Sequence, residues 1–440
     1  MSLESGALLL FIAMLLLLLT GLPVAFSLGS ISLVVGWFLL GPTCLMTAFS
    51  SAFGVSHNYV LIALPLFLLM VSILENSGIA DDLYEMMYVW FGGLNGGLAI
   101  GTVIICTIMG AMSAVAAAAV VTMAVIALPS MSKRGYDKVL TCGAIAAGGG
   151  LGQLIPPSTM MIIYGSLSNA SVGRLFIGGV MPGLLIACLF MLYIGVRCAI
   201  NPKLGPALPP EERGDWSKKI KSLRAVALPL LIVFCVLGSI FGGISTPTEA
   251  AALGVFGMLI CTILHRRFSW TYLAKACLRT VTVSSMVIWI IIGGSCFSAI
   301  FNAMGATDLI REFVLSLNMA PWAIITVMMF TFFVGGCLMD PAALLMITVP
   351  IYLPIVVELG LDPIWFGVCV VVNLQIGALT PPMCPNIFYL QAIVGKEIPT
   401  TAMYRSIIPF VLLYAVGLAL CIVFPQIILW LPNLFLGIAR

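Results

Sequence analysis

Two stretches decide how this chain is read: LGQLIPP at Leu151–Pro157 and IGALTPP at Ile376–Pro382. Each sets glycine and a Pro-Pro pair inside an apolar run, and two successive prolines remove two backbone donors and clash with the preceding helical turn. Each run therefore predicts a helix broken in its middle. The stretches lie 225 residues apart, and the same ungapped offset places Gly110 on Gly335, Pro129 on Pro354, Gly135 on Gly360, Asp137 on Asp362 and Tyr164 on Tyr389. A match over that span marks an internal duplication.

The solvent of these halves is lipid. Of 440 residues 62% are hydrophobic and 8% charged, with a mean hydropathy of +1.20, far from the roughly 25% charge of soluble domains. Apolar runs such as Ala7–Leu19, Val226–Phe241 and Ile407–Phe424 approach, with their flanks, the ~20 residues that span hydrocarbon as helix. About ten such segments fit, the first beginning near Ala7. The thirteen cysteines lie scattered in apolar runs without a CxxC pair and read as small buried hydrophobes. With only His57 and His265, an HExxH zinc site is excluded.

The longest polar stretch, Asn201–Arg224, carries six Lys or Arg and divides the chain into a first repeat at 1–198, a linker at 199–224 and a second repeat at 225–440. The positive-inside rule makes that linker cytoplasmic, together with His265–Arg267 and the turn holding Lys133, Arg134 and Lys138. The counterpart of that turn, ELGLDP, carries Glu358 and Asp362 and no base. Matching turns of opposite charge predict halves of opposite orientation, each with five crossings and one non-crossing hairpin. Both termini are then expected on the periplasmic side.

The hairpins are expected at about 97–131 and 321–358, each split by glycine into arms of about 14 to 17 residues, too short to cross comfortably. A broken helix follows each, at about 139–168 and 364–393. Unwound backbone at membrane depth survives only where protein or a water-lined cavity satisfies it, and paired interruptions in inverted halves point to a transporter's binding site. Ser113 at the first tip can cap the second arm or face a ligand. Asp340 before Pro341 matches an N-cap followed by N1, yet sets a carboxylate where charge is costly. Asn373 and Thr380 bracket one unwound stretch, and Gln153 and Ser158 the other, with neutral oxygens that suit sodium. Beyond Asp340 the expected midplane has almost no titratable group for a proton relay.

LGQLIPPS followed by Tyr-Gly, the KRGYDK turn, MDP, ELGLDPIWFG and VVNLQIGALTPPM together resemble the large membrane (M) subunit of TRAP transporters, the tripartite ATP-independent periplasmic family. The resemblance runs from the first helix to the last. It implies an all-α polytopic membrane protein of two inverted repeats, with a scaffold and a transport domain moving as an elevator. It implies sodium as coupling ion, an organic-acid substrate, and two partners in the bacterial inner membrane system: a small four-helix membrane subunit and a periplasmic solute-binding protein. Neither an enzyme activity nor a nucleic-acid partner is expected. By the same resemblance the tips, Gly110, Met112 and Ser113 in one and Gly335, Gly336, Cys337 and Asp340 in the other, close over substrate and sodium. Pro156, Pro157, Ser158, Thr380, Pro381 and Pro382 border the substrate. The unwound stretches Gly148–Pro157 and Asn373–Pro382 supply ion ligands, so the sodium candidates are Ser113, Gly148, Gly152, Gly335, Cys337, Asp340, Asn373, Gly377 and Thr380. Two departures stand out: many relatives read SGSS where this chain has GAMS, and PPVGLN where it has PPMCPN.

A self-sufficient sodium symporter or antiporter with similar hairpins remains a second reading. A membrane-embedded enzyme is a third, without a His cluster, an activated serine or an intramembrane Asp pair to support it.

Overall fold

A computed structural model of the chain describes residues 3–76, 79–113, 116–209, 215–316, 319–395 and 398–437, without the side chains of Leu3, Glu4, Ala7, Leu19, Glu75, Asn76, Ile79, Ala80, Met112, Ser113, Arg224, Ala225 and Leu315. The regular structure of those residues is all helical, with no strand among them. The first half holds α1 (Leu3–Leu19), α2 (Val24–Leu40), α3 (Thr43–Ser56), α4 (Ala63–Asn76), α5 (Ile79–Phe91), α6 (Gly97–Ser113), α7 (Ala116–Lys133), α8 (Lys138–Leu154), α9 (Thr159–Ser168) and α10 (Val172–Ile200). The second holds α11 (Trp216–Phe241), α12 (Pro247–Leu264), α13 (Trp270–Ala303), α14 (Ala306–Ser316), α15 (Pro321–Leu338), α16 (Pro341–Glu358), α17 (Pro363–Leu379), α18 (Pro385–Val394), α19 (Thr400–Val423) and α20 (Gln426–Leu436). Eight helices of the described residues are long and apolar enough to cross a membrane, or up to ten if each bent pair counts as one span. The chain is an all-α polytopic membrane protein.

The 225-residue offset recurs in the elements. Shifted by 225 residues, α7 falls on α16 and α8 on α17 residue for residue. Their turns are built alike. Gly135 and Gly360 adopt φ of +73° and +69°, a region open to glycine and costly to residues with a Cβ. Asp137 Oδ1 then caps α8 through Leu140 N at 2.8 Å, and Asp362 Oδ1 caps α17 through Ile364 N at 2.7 Å. At the start of α12, Thr246 and Glu249 form the reciprocal capping box that T-P-T-E predicts.

Packing sorts the helices into two bodies. α1 to α4 pack with α11 to α13; α6 to α10 pack with α15 to α20. The amphipathic α5 and α14 lie between, α5 against α11 and α6, α14 against α13 and α16. Exposed ion pairs pin both: Asp82 to Arg267 at 3.1 Å, and Arg311 to Glu358 at 2.5 Å.

Several expectations need correction. The hairpin arms are 17 to 18 residues long, about 27 Å at ~1.5 Å per residue, so shortness alone does not stop them from crossing. The linker is shorter than 199–224, because helix begins at Trp216. Its first part is docked: Leu208 N donates to Gly92 O (2.7 Å), Gly96 N to Gly205 O (2.8 Å) and Asp137 N to Leu204 O (2.9 Å). Backbone groups that a loose tether would leave to water are thereby paired. Cys188, Cys235 and Cys277 are exposed; the other ten cysteines are buried. Trp90, Trp270, Trp322, Trp365 and Trp430 lie near segment ends, where the sequence predicts interfacial anchors; four of them are exposed, but Trp365 is buried against α19, donating from Nε1 to Cys421 O.

Candidate functional site

Both prolines of each pair do break a helix. α8 ends at Leu154 and α9 starts at Thr159; α17 ends at Leu379 and α18 starts at Pro385. The peptide bonds Pro156–Pro157 and Pro381–Pro382 are both cis. The breaks are narrower than the sequence suggests: Gly148 and Gly152, and likewise Asn373 and Gly377, are helical, and only 155–158 and 380–384 leave the helix. Glycine here serves close packing, not unwinding. A Cβ on Gly148 would lie 3.2 Å from Cys106 of α6, one on Gly149 2.2 Å from Val120 of α7, and one on Gly150 2.9 Å from the Tyr414 hydroxyl of α19. At about 100° per residue, three successive glycines let α8 receive three neighbours at once.

Each hairpin meets its broken helix glycine to glycine. A Cβ on Gly110 would sit 2.7 Å from Gly152 Cα, and one on Gly377 2.7 Å from the Gly336 carbonyl carbon. The tips therefore end beside the breaks. At the second tip Asp340 Oδ1 accepts from Ala342 N (2.9 Å) and Ala343 N (3.4 Å), capping α16 with Pro341 at N1. Met383 N donates to Cys337 O at 3.1 Å and joins tip to break. Gly335 packs on Leu344, and its carbonyl accepts from Met339 N at 2.9 Å. Asn373 Nδ2 donates to Met329 O at 2.5 Å, so this buried amide ties α17 to α15. At the first tip Met112 and Ser113 lie outside the described side chains.

The breaks differ in exposure. Pro156, Pro157 and Ser158 are buried, while Pro381, Pro382 and Met383 are exposed. Ser158 Oγ bonds Gln153 O and caps α9 at Met161 N; Thr380 Oγ1 donates to Ile376 O at 2.7 Å. Both breaks gather the carbonyl end of one helix and the amide end of the next, so partial negative and positive charge face one small region. A carbonyl with one hydrogen bond keeps a second lone pair, which fits a hard monovalent cation at the first pole and an anion at the second.

Behind the breaks the two halves are joined by polar side chains in an apolar core. Gln375 Nε2 donates to Gln153 Oε1 (3.3 Å), Asn386 Nδ2 to Ala146 O (3.1 Å) and Tyr414 to Ala147 O (3.2 Å). Gln375 faces Gly150, its own counterpart at the 225-residue offset, and its buried Oε1 has no hydrogen-bond partner.

A family profile described as "Tripartite ATP-independent periplasmic transporter, DctM component" matches residues 11–427. This chain belongs to that family. It is 33% identical over 396 residues to the C4-dicarboxylate TRAP transporter large permease protein DctM of Pseudomonas aeruginosa, covering 90% of this chain and 91% of that one. It is 31% identical over 422 residues to the sialic acid TRAP transporter large permease protein SiaM of Vibrio cholerae, covering 96% and 97%. In fold it resembles the solved Alcanivorax borkumensis YdaH transporter, with a TM-score of 0.66 and 13% identity over 95% of this chain and 97% of that one. The DctM-family chain is thus a large permease subunit of a bacterial transporter, multi-pass and not an enzyme.

One feature of the permease site escaped the sequence reading. An open, mostly apolar cavity of about 450 Å³ adjoins the second break, lined by Ile407, Ile408, Val411 and Leu412 as well as Thr380 and Arg405. The available signal was an arginine inside the apolar α19, since charge within a membrane segment is costly and marks function by default.

Proposed function

We propose that this subunit imports an organic acid by a sodium-coupled elevator motion, receiving substrate from a periplasmic solute-binding protein and working with a small four-helix membrane subunit in the bacterial inner membrane. The observation that carries this is the pair of glycine crossings, Gly110 on Gly152 and Gly336 on Gly377, which set each hairpin tip against a helix break. The body holding both breaks can travel as a unit, because Gln153, Gln375, Asn386 and Tyr414 bond its two halves together. Against it stands the body of α1–α4 and α11–α13. The opposite charge of the Lys133–Lys138 and Glu358–Asp362 turns supports inverted halves with both termini periplasmic.

Sodium is supported by the donors. Thr380, Ser158, and the terminal carbonyls of α8 and α17, Gly152 and Gly377 included, are neutral oxygens, the kind a hard monovalent cation takes. Ser113, Gly148, Gly335, Cys337, Asp340 and Asn373 complete the set to be tested. An acid substrate is supported by the amide ends of α9 and α18 and by names of relatives that carry dicarboxylates or sialic acid. Proteoliposomes holding this chain, its small subunit and its binding protein should accumulate substrate down a sodium gradient. Undiminished uptake when choline replaces sodium would remove the coupling, and full uptake by the chain alone would favour a self-sufficient symporter.

A further inference from the structure

At the base of the first hairpin, away from both breaks, a half-open cavity of about 340 Å³ is lined by Leu128, Pro129, Ser132, Lys133, Tyr136, Lys138, Thr141 and Ile398. It divides by chemistry. Leu128, Pro129 and Ile398 are apolar; Ser132, Lys133 and Lys138 are exposed at its mouth. Its size lies at the low end of ligand pockets, ~300–1,000 Å³.

Among the described residues the charge at this mouth is unmatched. Neither lysine forms an ion pair with a described residue. Arg134 between them is already engaged, donating to Tyr88 Oη at 2.8 Å and to Ser130 while stacking on the Tyr88 ring. Asp137, the one acid of the turn, has its Oδ1 on the amide of Leu140. Burial pushes the Tyr136 phenol up to about 12, so it stays neutral. Lys133, in the last turn of α7, is explained by the helix dipole. Lys138 is not: at the first position of α8 it adds charge to an end already positive. The positive-inside rule accounts for bases in this turn, but not for a cavity between them with an apolar flank on one side.

We propose that this socket binds the phosphate of an anionic glycerophospholipid of the cytoplasmic leaflet, its phosphate between Lys133 and Lys138 and its glycerol and first methylenes against Leu128, Pro129 and Ile398. The cytoplasmic placement rests on the orientation proposed above; the phosphate chemistry does not. Basic pockets between membrane helices on that side suit such headgroups. The lipid would bridge α7 and α8 where the docked linker also holds them.

Native mass spectrometry of the purified chain in neutral detergent, titrated with phosphatidylglycerol or phosphatidylcholine, tests this. Phosphatidylglycerol should be retained preferentially, and K133Q/K138Q should weaken its retention about 25-fold, at about fivefold per lysine. K133R/K138R should keep most of it. The control K218Q/K221Q, removing two exposed lysines of α11, should leave retention unchanged. Equal retention of the two lipids, or equal loss in the control, overturns the proposal. A lysine-dependent effect produced by inorganic phosphate alone, without lipid retention, also overturns it, because the socket then takes a free anion. The experiment needs neither partner proteins nor substrate, so it can succeed while the transport reading fails.

Discussion

Replacing Gly377 by alanine tests the glycine crossing directly. A Cβ there would meet the Gly336 carbonyl carbon at 2.7 Å, its Cα at 2.8 Å and its oxygen at 3.0 Å, all backbone atoms. No rotamer change relieves them. Reaching ordinary contact at 3.4 Å requires α15 and α17 to part by about 0.7 Å at the tip. Overpacking of this kind costs about 1–3 kcal/mol, of which alanine's helix preference over glycine returns roughly 1 kcal/mol. The protein should therefore fold, with its second tip displaced from its break. Because a misplacement of about 1 Å in a working site can cost on the order of 100-fold, we expect sodium-driven uptake by the reconstituted tripartite system to fall about tenfold or more. Gly110→Ala, also at 2.7 Å from backbone, should behave alike; Gly336→Ala, at 3.3 Å, should be milder. Gly238→Ala, in α11 with nothing within 4 Å, should transport as the parent does. Wild-type uptake by Gly377→Ala at unchanged thermal stability would refute the crossing as a functional feature.

Three further outcomes follow from the same geometry. Gln153→Leu should destabilise the detergent-solubilised permease by about 1 kcal/mol, because it leaves the buried Gln375 Nε2 only Val371 O, at 3.4 Å; Gln375→Leu, which also removes an unpartnered oxygen, should cost less. A melting temperature of Gln153→Leu equal to the parent's would show that the amide bridge does not stabilise the fold. Asp340→Asn keeps a capping oxygen while Asp340→Ala loses about 1 kcal/mol of cap. If the carboxylate also serves the cation, Asp340→Asn should raise the sodium concentration for half-maximal uptake about tenfold, an effect that capping alone does not produce. Gly360→Val, at a φ of +69°, should cost about 1–2 kcal/mol, read as a lower melting temperature without a change in sodium dependence.

Much of the site was legible because its causes are local. Pro156–Pro157 and Pro381–Pro382 lack donors whatever surrounds them, and Asp340–Pro341 and Thr246–Glu249 cap helices through neighbours in sequence. What was misread depends on distant partners. Gly148–Gly152 looked like unwound chain, since glycine weakens a helix in isolation, but Cys106, Val120, Tyr414 and Gly110 close around α8 and reward the absence of side chains. The tie from Asn373 Nδ2 to Met329 O was equally hidden, because its acceptor lies on another helix, and it leaves Oδ1 as the oxygen a cation could use. The docking of 204–208 on 92–96 was equally out of reach, because backbone pairing between loops leaves no side-chain pattern.

The sequence by itself determined the lipid solvent, the recurrence of motifs at 225 residues and the positions of both breaks, because hydrophobicity, recurrence and missing backbone donors are properties of the covalent chain. Only the tertiary structure decided that hairpins and broken helices cross at bare glycines, that one break is buried and the other open, and that Gln375 spans from one half to the other. Those are distances between segments hundreds of residues apart, and no local preference sets them; they follow from which surfaces remain to be covered once every helix has formed.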